Sequence, residues 1–307
     1  MRSRLVSRLI VGAALATLVL LAADGARAAE YEIANRPDLV YAEHGGSKLL
    51  GDLYLPKGRA KAPVLVAIHG GGWIAGSRQF YRYWGLFLAR AGYAVFAIDY
   101  RLGKAGTFPA AVYDAKAAVQ FIRAKAAEFD LDPDRIGLVG DAAGAQLAAL
   151  IGLAADQFNS AYRDDANAAV PANVKAVVGF YGVYDVAAQW THDLVMRPSD
   201  NLVEKFLGAS PMQNRRLYFD ASPLSYATLD HNKVRFLLIY GTDDEIADPA
   251  SQSGAFLTAL TQAGFFVRRI VLPGAGHFWA SEPFESEPHG YSALAIPRLM
   301  RFLESSL

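Results

Sequence analysis

Ile136-Gly-Leu-Val-Gly140-Asp-Ala142-Ala-Gly144 combines the pattern of a buried strand with the start of a helix. The apolar run before Gly140 is typical of a strand, and the Ala- and Leu-rich residues 143–155 that follow at once are typical of a helix. A chain that reverses within two residues brings the helix start against neighbouring backbone, so small residues are needed beside the turn. Gly140 and Gly144 meet this need, and a sharp strand-to-helix turn is predicted.

Residues 140–144, which we call the elbow, match the pattern G-x-S-x-G. In that pattern a strained backbone holds a serine hydroxyl clear of the sheet for nucleophilic attack. Ala142 stands at the serine position. The sequence therefore predicts the backbone support for a nucleophile without the nucleophilic hydroxyl.

The rest of the chain alternates between strand-like and helix-like segments. Apolar runs predict strands at residues 64–68, 94–98, 174–181, 235–240 and 266–272, and helices are predicted near residues 80–91, 108–129, 251–263 and 291–303. Alternation at this spacing predicts the α/β fold class, with a mostly parallel central sheet and helices on both faces.

Three segments depart from this alternation. Short runs at residues 39–43 and 48–55 flank a glycine pair and predict an antiparallel hairpin. Residues 130–134 predict a turn. Residues 187–233 mix aromatic residues and prolines without a clear period, and we interpret them as a cap or lid insertion in one domain of residues 29–307.

Composition limits the classes of function. The chain has 307 residues, 53% of them hydrophobic, which is enough for one large domain with a full core. Its 30 basic and 30 acidic residues cancel, so nothing indicates nucleic acid or a membrane surface as a partner, and a small-molecule ligand fits better. The chain has no cysteine and no metal or nucleotide motif, so we expect neither a metal nor a cofactor. The sequence does not indicate an oligomeric state.

The N-terminus has the pattern of a secretory signal peptide. Three arginines within the first eight residues precede an apolar run at residues 9–23, and Ala26-Arg27-Ala28 places small residues at the cleavage positions. The run is short for a membrane span. We expect residues 1–28 to be cleaved and the protein to be exported, periplasmic or secreted; an uncleaved anchor is the alternative.

Candidates for a catalytic base and its orienting acid follow the last two predicted strands. His277 lies in a glycine-rich loop that can turn its imidazole toward the elbow, and His289 is a weaker rival. Asp244 follows the preceding strand; we prefer it to Asp243 and place Asp248 third, because Asp248 can cap the next helix. In proteins that have such an elbow, the acid and then the histidine follow it along the chain, which is the order found here.

A second glycine-rich loop provides candidate donors for an oxyanion. His69-Gly-Gly-Gly72-Trp73 follows a buried strand, and its glycines let backbone N–H groups turn inward without obstruction by side chains. Gly71, Gly72 and Ala143, the residue after the elbow position, are the predicted donors. Acyl transfer requires a nucleophile, a base, an orienting acid and such donors, and the nucleophile is the one that is missing.

Five motifs between His69 and Gly144 form a set. They are the HGGGW loop, Asp99-Tyr-Arg-Leu102, Phe108-Pro-Ala-Ala111 with Asp114, Asp132-Pro-Asp-Arg-Ile136 and Gly140-Asp-Ala-Ala-Gly144. The set resembles the hormone-sensitive-lipase-like and related bacterial carboxylesterase branch of the α/β-hydrolases, from about Leu39 to the C-terminus. The resemblance implies an α/β-hydrolase fold and a serine carboxylesterase whose elbow reads G-D-S-A-G. Ala142 then replaces the serine, with Asp244 and His277 as its partners.

Ala142 has two interpretations. It is either a serine-to-alanine change introduced into an esterase, which preserves the fold, or the mark of a natural pseudo-hydrolase that binds a ligand. We favour the introduced change, because natural loss of catalysis would relax selection on a site whose other parts are all present. The activity then belongs to the Ala142→Ser form, and the chain itself is expected to be essentially inactive.

The predicted substrate is a small acyl or aryl ester. Six aromatic residues are candidates for a substrate pocket, although ordinary packing would explain each equally well: Trp73, Tyr100, Tyr184, Trp190, Phe278 and Trp279. Aryl or hydroxycinnamoyl esters, plant-polymer acetates and phthalate-like esters all fit. An amidase or peptidase on the same fold is the alternative reaction class.

Overall fold

One mixed sheet organises the computed structural model, which describes residues 30–158, 162, 165–281 and 289–307. Its strands are β1 (Ile33–His44), β2 (Ser47–Pro56), β3 (Ala62–Ile68), β4 (Ala94–Ile98), β5 (Leu131–Asp141), β6 (Ala176–Phe180), β7 (Arg235–Gly241) and β8 (Val267–Leu272). The spatial order is β1-β2-β4-β3-β5-β6-β7-β8. β2 pairs antiparallel with β1 and β4, and all other neighbours are parallel. The predicted hairpin and the mostly parallel sheet are confirmed.

Helices cover both faces of this sheet, as predicted. They are α1 (Arg82–Arg90), α2 (Ala110–Ala124), α3 (Ala143–Ala154), α4 (Val186–Met196), α5 (Leu202–Leu207), α6 (Arg215–Ala221), α7 (Ala255–Gln262) and α8 (Tyr291–Ser306). α1 and α8 pack on one face, and α2, α3 and α7 pack on the other. Every residue of β3 and β4 is buried, which explains why these strands are continuous apolar runs.

The chain between α2 and β5 departs from the predicted boundaries. α2 ends at Ala124 rather than at residue 129, and β5 begins at Leu131, inside the predicted turn. Asp130 has a φ of 54°, which a right-handed helix cannot continue, and the N–H of Leu131 donates to the carbonyl of Ala126. The turn therefore precedes Leu131 instead of including it.

The segment that we interpret as an insertion lies between β6 and β7 and contains α4, α5 and α6. A polar side chain caps each helix start: Asp185 accepts from the N–H groups of Ala187 and Ala188, Asn201 from that of Glu204, and Asn214 from those of Arg216 and Leu217. Such caps mark the start of a helix even where the helix is short. α5 has six residues and α6 has seven, which is less than two helical turns in each case. Helices this short show no apolar period in the sequence.

Tyr31–Leu307 form one compact unit. The predicted signal peptide, residues 1–28, lies outside the described residues. Within the part of the chain that is described, no helix is both long and apolar enough to cross a membrane.

Candidate active site

Ala142 occupies the turn between β5 and α3 in a strained conformation, with φ 46° and ψ −114°. Few residues other than glycine adopt a positive φ, so the surroundings must enforce this one. A Cβ atom on Gly144 would lie 2.0 Å from the carbonyl oxygen of Ile68, and one on Gly140 would lie 2.4 Å from the backbone of Gly144. Close backbone contact thus requires both glycines, and together they set the position of residue 142.

The imidazole of His277 is paired with the carboxylate of Asp244. Nδ1 of His277 lies 2.7 Å from Oδ2 of Asp244, and the two side chains are 4% and 0% exposed. Oδ1 of Asp244 accepts hydrogen bonds of 2.9 Å from the N–H groups of Ile246 and Ala247, which hold the carboxylate in place. Because an ionised carboxylate only accepts hydrogen bonds, the ring proton is assigned to Nδ1, and Nε2 keeps a free lone pair.

The rival candidates make other contacts. Oδ1 of Asp243 accepts a hydrogen bond from the hydroxyl of Thr242 at 2.6 Å. Oδ2 of Asp248 accepts one from the N–H of Ser251 at 2.8 Å, as a capping residue does. His289 is exposed. Among the acids and histidines proposed from the sequence, Asp244 and His277 are therefore the pair that meet.

The glycine loop after β3 lies directly against the elbow. Oδ1 of Asp141 accepts a 2.9 Å hydrogen bond from the N–H of Gly70, and a Cβ atom at residue 70 would lie 2.4 Å from the other carboxylate oxygen. Gly71 and Gly72 have φ values of 100° and 59°, which only glycine adopts readily. Ala143 is the first residue of α3, so its N–H has no acceptor within the helix. Gly71, Gly72 and Ala143, the predicted oxyanion donors, border the same cavity as Ala142 of the elbow.

Buried polar groups support the glycine loop through its backbone. Burial raises the pKa of the Asp141 carboxyl to about 7, although the N–H of Gly70 and the hydroxyl of Tyr81 favour its charged form. Burial also lowers the pKa of His69, whose ring stacks on Tyr100 with centroids 4.5 Å apart. The Tyr100 hydroxyl donates to the carbonyl of His69 at 2.9 Å. Tyr100 thus supports the loop and does not line the cavity, contrary to its prediction as a pocket residue.

A cavity of about 220 Å³ brings the main candidates together. Its lining includes Gly71, Gly72, Trp73, Ala142, Ala143, His277 and Phe278. Trp73 is a fixed part of this wall, since its ring stacks on Phe206 at 4.5 Å and its Nε1 donates to Gln146 at 3.1 Å. Phe278, by contrast, is 55% exposed. One aromatic residue is thus locked in place, and the other lies partly in solvent.

Three other aromatic residues predicted to contact substrate lie outside this lining. Tyr184 stacks on Phe256 in the core, with ring centroids 4.4 Å apart. Trp279 is 2% exposed and packs against core aromatic residues. Nε1 of Trp190 donates to Glu204 at 2.7 Å. The assignment of these three side chains to substrate contact is therefore corrected, because packing inside the protein occupies each of them.

α4 provides a polar wall that no sequence motif indicated. Gln189, Asp193 and Arg197 line the cavity at four-residue spacing and so share one side of the helix and its end. Nε2 of Gln189 donates to Oδ1 of Asp193 at 3.0 Å and to the carbonyl of Ile246 at 2.9 Å. The second of these bonds connects α4 to the loop that carries Asp244. The regular spacing of three polar residues is the signal that could have identified this wall.

Within the described residues, no group of three or more His, Asp or Glu side chains is arranged to hold a metal ion. Asp193 is the one acidic residue in the lining of the cavity as described. The polar groups available at this cavity are therefore backbone N–H groups and the side chains named above.

The chain is similar to a known protein family and to known esterases. A model of the BD-FAE family matches residues 51–260, which include the glycine loop, the elbow and Asp244. Esterase LipC of Mycobacterium tuberculosis (strain ATCC 25618 / H37Rv) is 33% identical over 222 residues, 70% of this chain and 53% of LipC. Esterase LipQ of the same organism is 32% identical over 252 residues, 80% of this chain and 57% of LipQ. The chain thus spans about half the length of these relatives.

Solved structures share the architecture. A truncated carbohydrate esterase from gut microbiota superposes with a TM-score of 0.73 over 91% of this chain and 97% of that chain, at 22% sequence identity. Likeness at this identity shows the α/β-hydrolase fold alone. The family match is more specific and extends over more than half of the chain. This protein therefore belongs to the BD-FAE family and has an α/β-hydrolase fold.

Proposed function

We propose that this chain is the framework of a serine carboxylesterase in which Ala142 occupies the position of the nucleophile. One observation carries the proposal: the strained elbow shares a cavity with His277, whose Nδ1 lies 2.7 Å from Asp244. A paired base and acid thus border a residue that has no nucleophilic atom. A hydroxyl at position 142 would supply the missing group.

In the Ala142→Ser form, the serine Oγ attacks the carbonyl carbon of the ester while Nε2 of His277 takes the hydroxyl proton. The bond from the carbonyl carbon to the alcohol oxygen then breaks, and His277 returns the proton to the departing oxygen. Water, deprotonated by His277, attacks the acyl-enzyme and releases the acid and the serine. Asp244 keeps the Nδ1–H tautomer and stabilises the imidazolium that forms.

Negative charge develops on the carbonyl oxygen in both tetrahedral intermediates. We assign the N–H groups of Gly71, Gly72 and Ala143 as donors to this oxygen, and one such donor is typically worth about 3 kcal/mol of barrier. Asp141 acts on these donors indirectly, because its bond to Gly70 holds the glycine loop against the elbow. Asp141 is accordingly a positioning residue.

The size and lining of the cavity favour a small substrate. Sites for drug-sized ligands measure about 300–1,000 Å³, whereas this cavity measures about 220 Å³. Apolar side chains, among them Ile74, Val183 and Leu202, form much of its wall. An acetyl group or a single aromatic ring suits this space, so acetates, aryl or hydroxycinnamoyl esters and phthalate-like esters are the classes to assay. The name esterase of both bacterial relatives supports the ester bond itself.

We interpret Ala142 as a change from serine rather than as a natural loss of function. A strained elbow residue costs roughly 1–3 kcal/mol and persists where a function uses it. The support for this interpretation is that both elbow glycines, the glycine loop and the Asp244 to His277 pair are intact. A natural pseudo-hydrolase that binds a ligand in the same cavity is the alternative.

The experiment is a comparison of the chain and its Ala142→Ser variant on nitrophenyl esters with acyl groups of increasing length and with aryl acyl groups. We expect turnover to rise by about 10⁴-fold or more, because without the nucleophile only binding and the oxyanion donors assist the reaction. Adding His277→Ala to Ala142→Ser should return the rate to background. A folded Ala142→Ser variant that is inactive on the whole series would refute the esterase proposal and leave ligand binding as the function.

An amidase or peptidase is the second candidate, because the same groups can cleave an amide bond. Ester and amide substrates that share one acyl group separate the two classes. The esterase proposal expects the Ala142→Ser variant to cleave the ester much faster than the matched amide. A comparable or higher rate on the amide would favour the second candidate.

A further inference from the structure

A second cavity, which we call the arginine cavity, lies at the edge of the sheet where β8 meets α8. Its volume is about 200 Å³, and its lining includes Phe266, Arg268, Arg269, Arg298 and Arg301. β8 is an edge strand, and its two arginines stand near the start of the strand. His277 and Asp244 follow the opposite ends of β8 and β7. The arginine cavity is therefore separate from the proposed active site.

Contacts hold two guanidinium groups of this cavity, those of Arg268 and Arg298, and that of the neighbouring Arg235. Cζ of Arg268 lies 4.4 Å from the ring centroid of Phe266, and Cζ of Arg235 lies 4.8 Å from it. Arg235 also donates to a carbonyl near the end of α8 at 2.6 Å. Nη2 of Arg298 donates to the carbonyl of Arg269 at 2.9 Å. Each guanidinium has five N–H groups, so these bonds to neutral acceptors leave most donors available for a ligand.

The described residues supply no anion to these cations. The lining that they form around the arginine cavity contains no acidic residue. Within the described residues, no carboxylate oxygen lies within 4.0 Å of a guanidinium nitrogen of Arg235, Arg268, Arg269, Arg298 or Arg301. Burial, and after it the nearby carboxylate of Glu304 on α8, raise the pKa of Tyr93. Since like charges at short range repel, a bound anion would stabilise this cluster.

Protection of the edge strand explains only part of the cluster. Charged side chains on an edge strand prevent it from pairing with a strand of another molecule, and Arg268 and Arg269 meet that need. Arg298 and Arg301 lie on a helix, three residues apart and so on one side of it. A helix has no open edge to protect. Protection of the strand therefore does not explain why the arginine pair of the helix lines the same cavity as the pair of β8, and binding of a ligand would explain it.

We propose that the arginine cavity binds a phosphate group that carries more than one negative charge, such as a phosphate monoester or a diphosphate. A guanidinium presents two parallel N–H groups that match two oxygens of one phosphate. A phosphate monoester carries about −1.5 to −2 charges at pH 7, and this charge complements several clustered cations better than a single carboxylate does. The volume admits one such group and leaves the rest of the ligand in solvent.

The test is a calorimetric titration of the full chain with inorganic pyrophosphate at low ionic strength. Arg268→Gln/Arg301→Gln removes two exposed cations from the arginine cavity, and Arg36→Gln/Arg215→Gln is the control that removes two exposed arginines elsewhere. We expect saturable binding at one site. The affinity for pyrophosphate should fall by roughly tenfold or more in the cavity variant, because charge-assisted hydrogen bonds are lost, and should not change in the control.

Sedimentation with vesicles of phosphatidylcholine, with and without phosphatidic acid, separates a lipid headgroup from a soluble phosphate. Binding to phosphatidic acid vesicles that only the cavity variant loses would support the site with a lipid as its source, whereas pyrophosphate binding without vesicle binding would support a soluble ligand. The proposal is overturned if neither probe binds, or if the two double variants lose binding equally. Thermal unfolding of each variant verifies its fold, and the rate of the Ala142→Ser form should be the same in both backgrounds.

Discussion

The elbow and the α4 wall border the same cavity, but different contacts hold them in place. At the elbow, backbone lies so close to backbone that a Cβ atom on Gly144 would stand 2.0 Å from a carbonyl oxygen. In the α4 wall, a side-chain hydrogen bond from Gln189 to the carbonyl of Ile246 connects the helix to the loop that carries Asp244. The first kind of contact excludes any side chain, and the second tolerates exchange of one side chain for another.

This difference divides the expected roles of the cavity wall. The groups assigned to bond making lie on the part that is fixed by backbone, where a small displacement would misalign them. The groups that meet the rest of the substrate lie on the part that is fixed by side chains. Substitutions in the first part should therefore lower kcat or prevent folding, and substitutions in the second should mainly change KM.

The largest effect should come from Asp244→Asn in the Ala142→Ser background. The amide still accepts the bonds from Ile246 and Ala247 but no longer fixes the tautomer of His277, so we expect kcat to fall by about 10⁴-fold. Asp243→Asn is the matched control, since its carboxylate meets Thr242 and not the histidine. Steady-state kinetics on one nitrophenyl ester measures both, and an equal loss in the two variants would contradict the assignment.

Gly144→Ala tests the backbone contact itself. Its Cβ atom would meet the carbonyl oxygen of Ile68 at 2.0 Å, so we expect a loss of more than about 3 kcal/mol in the free energy of unfolding, or failure to fold. Gly276→Ala is the control at the same end of the sheet, where the nearest atom to a new Cβ would be 3.7 Å away. Urea denaturation gives both values. Similar stability of the two variants would show that the elbow can relax.

Asp141 makes the stability of the elbow depend on pH. Burial raises its pKa to about 7 in the folded protein, from about 3.9 in the unfolded chain. Between these values the folded state keeps a proton that the unfolded state has lost. The stabilising effect of that proton is complete below about pH 4 and is lost as the pH rises to about 7.

Asp141→Asn carries no such proton and keeps an acceptor for the N–H of Gly70. Relative to this variant, the unsubstituted chain should therefore lose roughly 1.4 kcal/mol of stability per pH unit across that window and nothing further above it. Free energies of unfolding measured in urea at a series of pH values test this. Parallel curves for the two proteins would contradict the raised pKa.

Much of the backbone-fixed part of the site could be predicted from the sequence. Gly140 and Gly144 are needed for a local steric reason, and Asp244 and His277 follow strand ends that apolar runs reveal. Such signals lie within a few residues of the groups they concern. They do not depend on how distant parts of the chain pack.

The α4 wall and the roles of individual aromatic residues could not be predicted in this way. The regular spacing of Gln189, Asp193 and Arg197 shows only that they share one side of a helix, and which cavity that side borders depends on tertiary contacts. Aromatic residues suit a substrate pocket and a core equally well. Tyr184 and Trp279 lie in the core, whereas two other aromatic residues, Trp73 and Phe278, line the cavity.

The smallest expected effect concerns two adjacent residues in the Ala142→Ser background. Phe278 is 55% exposed and lines the cavity, so Phe278→Ala should raise KM by about two- to fivefold and change stability by less than about 0.5 kcal/mol. Trp279 is buried, and its Nε1 has no acceptor among the described residues. Trp279→Phe should lose no hydrogen bond, cost about 1–2 kcal/mol of stability because the smaller ring leaves buried space empty, and leave KM unchanged. Kinetics and urea denaturation of both variants would show a reversed pattern if Trp279, and not Phe278, met the substrate.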